Sequence, residues 1–219
     1  MPTKTTAATE PGRDCPLCPR LVDFRLRHRM AEPEWHNAPV PSFGPLGARL
    51  LIVGLAPGLR GANRTGRPFT GDYAGQLLYP TLLKLGFAAG LYAERPDDGL
   101  TLRDARITNA VRCVPPQNKP ETVEIKTCNR FLKSEIEAMP KLGAILALGS
   151  IAHAAVLTAF GLRRAPWPFA HGALHALPNG IMLADSYHCS RLNTNTGRLT
   201  TEMFEDVIRS IKRRLDRAR

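Results

Sequence analysis

The chain has 219 residues, enough for one globular domain with a substantial core, and 43% of them are hydrophobic, which excludes a disordered protein. Thirty Lys and Arg against nineteen Asp and Glu leave a formal charge of +11, a balance that favours polyanionic partners because each phosphate contact releases condensed counterions. No window approaches the roughly 18 uninterrupted apolar residues of a membrane span, so the expectation is a soluble, cytoplasmic protein with no membrane partner.

Residues 1–12 lack an apolar run and read as a flexible N-terminal tail rather than a signal peptide, leaving 13–219 as a single domain. A Cys-x-x-Cys segment follows at 15–18. Residues 49–54 (RLLIVG), 106–111 (RITNAV), 144–149 (AILALG) and 181–184 (IMLA) read as buried strands, near-continuously apolar as in a sheet covered on both faces. Helical periodicity runs over 73–85, 121–139 and 150–160. A last helix over about 200–215 starts with a Thr200 cap, without a capping box because Met203 stands three residues on. This alternation predicts an α/β protein, a three-layer α/β/α sandwich around a central, mainly parallel four-stranded sheet. Ligands of such sheets bind beyond the carboxyl ends of the strands. The loops over 54–72, 109–118 and 186–197 converge on that edge.

Five cysteines with no secretory signal argue against a disulfide framework and for cofactor ligation. Cys15, Cys18, Cys113 and Cys128 are four soft ligands suited to zinc or a [4Fe–4S] cluster. Structural zinc sites usually take two tight pairs. The wide Cys113–Cys128 spacing therefore favours the cluster. Cys189, in a polar loop, reads as incidental.

The richest motif is Gly54-Leu-Ala-Pro-Gly58 followed by the run from Gly61 to Asp72, GANRTGRPFTGD. Glycines and prolines directly after a buried strand let backbone approach a ligand closely, and the Lys-Ser/Thr ending of a nucleotide P-loop is missing. This segment resembles the first active-site motif of the iron–sulfur uracil-DNA glycosylases, in particular their family 5 (type B) branch. The segment 186–197 (SYHCSRLNTNTG) is similar to that branch's His-containing motif, and 112–120 (RCVPPQNKP) to its central loop. The four cysteines fall where the cluster ligands would be, and the resemblance covers roughly 13–212 in order.

The resemblance implies a monofunctional, monomeric, nucleoid-associated enzyme of base excision repair. It would flip uracil, or another deaminated base, out of DNA and hydrolyse the glycosidic bond. Backbone amides around Gly54, Ala56, Pro57 and Gly58 would face the base and Phe69 would stack on it. Asp72 would orient or deprotonate the water, with Asn118 as a supporting polar contact. His188 would donate to uracil O2 as charge develops there. Leu192, beside Ser190, Arg191 and Asn193, would wedge into the duplex, and Arg60, Arg64, Arg67, Lys119, Arg191 and Arg198 would contact phosphates. Asn109 departs from the small residue usual in family 5 and matches the uracil-reading Asn of family 4, which implies a narrower uracil preference. His153, His171 and His175 lack a motif setting and read as ordinary.

Two readings compete within repair, a family 4-like strict uracil enzyme and one favouring deaminated purines. A non-catalytic iron–sulfur DNA-binding protein would need neither His188 nor Asp72. A covalent uracil trap of the same superfamily carries an extra basic loop, for which 66–72 leaves no room.

Overall fold

The computed structural model describes residues 8–217. In chain order the elements are α1 (Pro19–Ala31), β1 (Leu50–Gly54), α2 (Ala62–Thr65), α3 (Gly75–Lys84), β2 (Ala88–Ala89), β3 (Thr101–Leu102), β4 (Ala105–Asn109), α4 (Thr122–Glu137), β5 (Ala144–Leu148), α5 (Ser150–Ala159), β6 (Leu174–Ala176), β7 (Met182–Ser186), α6 (Arg191–Asn195) and α7 (Thr201–Arg217). No helix is long and apolar enough to cross a membrane among these residues.

The main sheet runs in the order β4-β1-β5-β7-β6. The first four strands pair in parallel, as expected, but β6 adds an antiparallel fifth strand, so the sheet is five-stranded and not four-stranded. Three residues with an exposed–intermediate–exposed pattern give no apolar run to read in advance. Alternate residues of the buried strands serve two cores. Leu50, Ile52, Ile107, Leu146 and Ala184 pack with Leu78, Leu82, Phe204 and Ile208 of α3 and α7. Leu51, Val53, Ile145 and Leu183 pack with Leu132, Ile136, Ala152 and Val156 of α4 and α5 on the other face. Helices on both faces of a mainly parallel sheet make the three-layer sandwich.

Helix α1 has no counterpart in the sequence reading. Its only buried residues are Leu21 and Arg25, too few to give an apolar stripe. Pro19 at its first position and the half-in Cys18 start it. The capping box absent at Thr200 occurs on α4, where Glu121 and Glu124 bond each other's backbone N–H groups. Thr200 Oγ1 nevertheless accepts from Met203 N at 3.2 Å.

Residues 1–7 of the expected tail lie outside the described residues, and part of the rest is fastened to the body. Thr9 N donates to Ser134 Oγ at 2.8 Å, and Glu10 Oε1 accepts from Ser42 N at 3.1 Å. Glu10 also faces Arg106 and Arg112, whose guanidinium groups share the buried carboxylate of Glu135. Charge compensation, not apolar burial, draws this segment in, which is why an apolar-run criterion missed it.

Candidate active site

Parallel register sets Gly54, the last residue of β1, beside Asn109, the last of β4. A cavity of about 470 Å³ opens there, lined among others by Ala56, Pro57, Gly58, Phe69, Asp72, Asn109, Asn118, His188, Ser190 and Arg191. The three loops expected to converge do so. A Cβ on Gly54 would overlap Asn109 Oδ1 and sit 2.6 Å from Phe69 Cζ. The missing side chain therefore lets the Phe69 ring and the Asn109 amide close in over the strand end, and both line the cavity as one slot.

Phe69 holds a left-handed backbone (φ 55°), a conformation that costs a non-glycine residue free energy and persists only when its surroundings enforce it. Tyr92 Oη donates to Phe69 O at 3.2 Å and Tyr79 Oη to Pro68 O at 2.5 Å. Across the cavity stands His188, its ring centroid 6.1 Å from that of Phe69. Burial lowers the His188 pKa, so its ring is neutral near pH 7 and carries one N–H. Asn193 Nδ2 donates to the His188 carbonyl at 2.8 Å and fixes the loop.

Asp72 sits against bare glycine backbone. A Cβ on Gly58 or Gly61 would collide with its carboxylate, and Ala62 N donates to Oδ2 at 3.2 Å. Burial raises the Asp72 pKa, opposed by the Ala62 and Gly58 amides and by the Arg64 charge. The carboxylate thus both holds the loop and lines the cavity. Asn118 reaches the rim from a short 3-10 turn (Pro116–Asn118) with a left-handed backbone (φ 57°).

Arg60, Arg64, Lys119, Arg191 and Arg198 are exposed around this mouth. Arg191 lies over Tyr73 and Arg198 over Tyr187, at 5.0 and 4.4 Å. Leu192 is 72% exposed on α6, which Ser190 caps by accepting from Asn193 N. Arg67 does not belong to this set. It is 6% exposed and clamps Asp98 with two 2.8 Å bonds, within about 6 Å of the Phe43, Tyr79 and Tyr92 rings. The expected phosphate contact is a buried ion pair that props the Phe69 loop, because its partner lies on a segment no local motif connects to it.

Cys15, Cys18, Cys113 and Cys128 line one apolar cleft with Leu21, Val111 and Phe131. Arg20 bonds Glu124 at 2.8 and 2.7 Å, bringing α1 onto the helix that carries Cys128. Arg25 Nη2 donates to the Cys15 carbonyl at 3.1 Å, and Arg25 Nη1 and Arg112 N lie 3.5 and 3.3 Å from the sulfurs of Cys113 and Cys128. Burial pushes the Cys113 and Cys128 thiols up, to about 12 and about 11, so a metal group binding here would displace protons. Cys189 does stand in the loop between β7 and α6, but its side chain is fully buried in the core. Its neighbours in sequence are polar, but the loop folds back so that this one side chain joins the core on the α3 and α7 side of the sheet.

The family model of the uracil DNA glycosylase superfamily matches residues 41–212. The chain belongs to that superfamily. It is 48% identical to a type-5 uracil-DNA glycosylase of Thermus thermophilus over 91% of this chain and 93% of that protein. A type-5 enzyme of Pyrobaculum aerophilum is 43% identical, over 90% and 87%. A type-4 enzyme of the same organism matches 57% of this chain at 37% identity. The superfamily chain thus groups with type-5 relatives along its length, its Asn109 notwithstanding.

Proposed function

We propose that this protein is a monofunctional uracil-DNA glycosylase of base excision repair. The observation that carries the reading is that slot, where Phe69, Asn109, His188 and Asp72 all line one cavity. A flipped base enters the slot and stacks on Phe69 while Asn109 donates to O4 and accepts from N3–H. Cytosine reverses both partners, and each buried polar group left unpaired costs about 1–3 kcal/mol.

Water adds to the sugar C1′ as the N1–C1′ bond breaks, and the electron pair of that bond leaves on the base. The neutral His188 N–H meets the charge developing at O2, where a preorganised donor lowers the barrier most. Asp72 orients the water and takes its proton, with Asn118 at the rim as a supporting contact. The product is an abasic site in an unbroken strand, because among the described residues no lysine lines the cavity to form a Schiff base. Leu192 fills the place of the departed base, and Arg60, Arg64, Lys119, Arg191 and Arg198 hold the backbone.

Cys15, Cys18, Cys113 and Cys128 would hold a [4Fe–4S] cluster, which supplies cross-links tying α1 to the central loop. A closed zinc site, with Zn–S near 2.3 Å, would bring the sulfurs to about 3.8 Å from one another. The four thiols share one apolar cleft with Leu21, Val111 and Phe131, a lining that suits a group held by thiolates and shielded from water. The enzyme would work in the cytoplasm, on nucleoid DNA, as a monomer.

The test is incubation with labelled oligonucleotides bearing uracil, hypoxanthine or xanthine, analysed with and without alkali. Uracil-dependent cleavage only after alkali is expected. No alkali-labile product from any of the three would overturn the reading, and nicking without alkali would overturn its monofunctional part.

A further inference from the structure

Away from the cavity, α5, β6 and β7 bring His153, His175 and Asp185 together, three residues for which the sequence offered no role. One ligand atom from each lies within 4.8 Å of the other two. Asp185 and His153 are 0% and 3% exposed. His153 Nε2 lies 2.9 Å from the Trp167 carbonyl, which can only accept, so the proton sits on Nε2. That leaves Nδ1 directed at Asp185 Oδ1, 2.7 Å away. An imidazole whose far N–H is fixed by a carbonyl is the arrangement usual for a metal-ligating histidine.

The second histidine decides between a proton-shared pair and a metal. His175 Nε2 is 3.3 Å from Asp185 Oδ2, yet among the described residues both atoms are buried without a hydrogen-bond partner. The 3.3 Å separation lacks hydrogen-bond geometry, so the two atoms stand side by side with no other partner among those residues. Ligands about 2.0 Å from a tetrahedral ion stand roughly 3.3 Å apart, which is this separation. A proton on His153 would satisfy Oδ1 alone and leave the other two atoms unpaired at a buried position, a costly state.

We propose that His153 Nδ1, His175 Nε2 and Asp185 form a binding site for one divalent transition ion of the zinc class. Two imidazoles and one carboxylate are a frequent protein ligand set for zinc, with a fourth position left to water. The His175 side chain is 14% exposed and gives access from solvent. The ion would pin the edge strand β6 and helix α5 to β7, three residues before His188. The proposal stands independently of the glycosylase reading.

Wild type, His175→Ala and Asp185→Asn are equilibrated with zinc, freed of excess metal, and assayed for zinc by elemental analysis. Any zinc at the cysteines is common to all three and cancels in the difference. The expected result is one zinc equivalent per chain more in wild type than in either variant. Saturating zinc should also raise the wild-type Tm by roughly 5 °C more than it raises that of H175A. Cobalt titration of wild type alone should add visible d–d bands beyond any thiolate charge-transfer spectrum, so a variant that fails to fold does not suspend the test. Equal zinc contents, or no such bands in wild type, would overturn the proposal.

Discussion

Replacing Asn109 by alanine tests how the slot reads a base. The side chain is 4% exposed, ends β4 beside Gly54, and directs Oδ1 into the space that a Gly54 side chain would fill. Two neutral hydrogen bonds to uracil contribute about 0.5–1.5 kcal/mol each, or ~1–3 kcal/mol together, so kcat/KM on uracil should fall roughly 5- to 150-fold. Hypoxanthine has a similar O6/N1–H edge, but its second ring sets that edge further from the glycosidic bond. With C1′ held at Asp72, the purine edge meets Asn109 too early, and alanine gives it room. Hypoxanthine cleavage should therefore hold steady or rise, and the uracil-to-hypoxanthine ratio should drop by at least about fivefold. Asn109→Asp, an acceptor-only carboxylate facing O4, should lose more uracil activity than alanine does. Single-turnover rates on matched oligonucleotides measure this, with thermal melts to verify folding. An unchanged ratio in a folded N109A protein would refute base reading by this residue.

Asp72 must be ionised to take a proton, and burial raises its pKa, so activity should decline on acidification at a higher pH than an ordinary aspartate would give. Asp72→Asn should slow single-turnover cleavage by two or more orders of magnitude, flatten that acid limb and leave DNA binding nearly intact, as pH–rate profiles and binding titrations would record. Arg67→Ala breaks a buried pair and strands Asp98, which should cost about 3–5 kcal/mol and lower Tm by roughly 10 °C. Arg64→Ala, exposed at the mouth, should change stability by less than about 0.5 kcal/mol but reduce the salt slope of DNA binding by about 0.9. On the proposed [4Fe–4S] ligation, the purified protein should show a broad visible absorption, which Cys18→Ser should abolish while lowering the Tm, readable by spectroscopy and melting alone.

The four parallel strands, the three-layer arrangement and the three site loops were legible because each is written in consecutive residues. Buried strands such as Leu50–Gly54 are apolar throughout, and the glycines of 54–72 announce a close backbone approach. Helix α1 was not legible, because it is held by polar bonds such as Arg20 to Glu124 and Arg25 to Cys15 and by very few apolar residues. The His153–His175–Asp185 group was likewise hidden. Its members are 22 and 10 residues apart in sequence, on three elements, and none stands in a motif.

Arg64 and Arg67 show where motif reading stops. They stand three residues apart in one motif, and nothing in GANRTGRPFTGD separates them. Arg64 stays in water, whereas Arg67 is taken up by Asp98, 31 residues away on the loop before β3, and by three aromatic rings. A guanidinium is retained in such a place only if its donors are matched, and Asp98 with Thr70 matches them. The pair stands directly behind Pro68 and Phe69, where a left-handed backbone has to be enforced from outside. The basic residue that resembled a DNA contact therefore acts on DNA only through Phe69, and its loss should show first as a destabilised loop and only then as a slower enzyme.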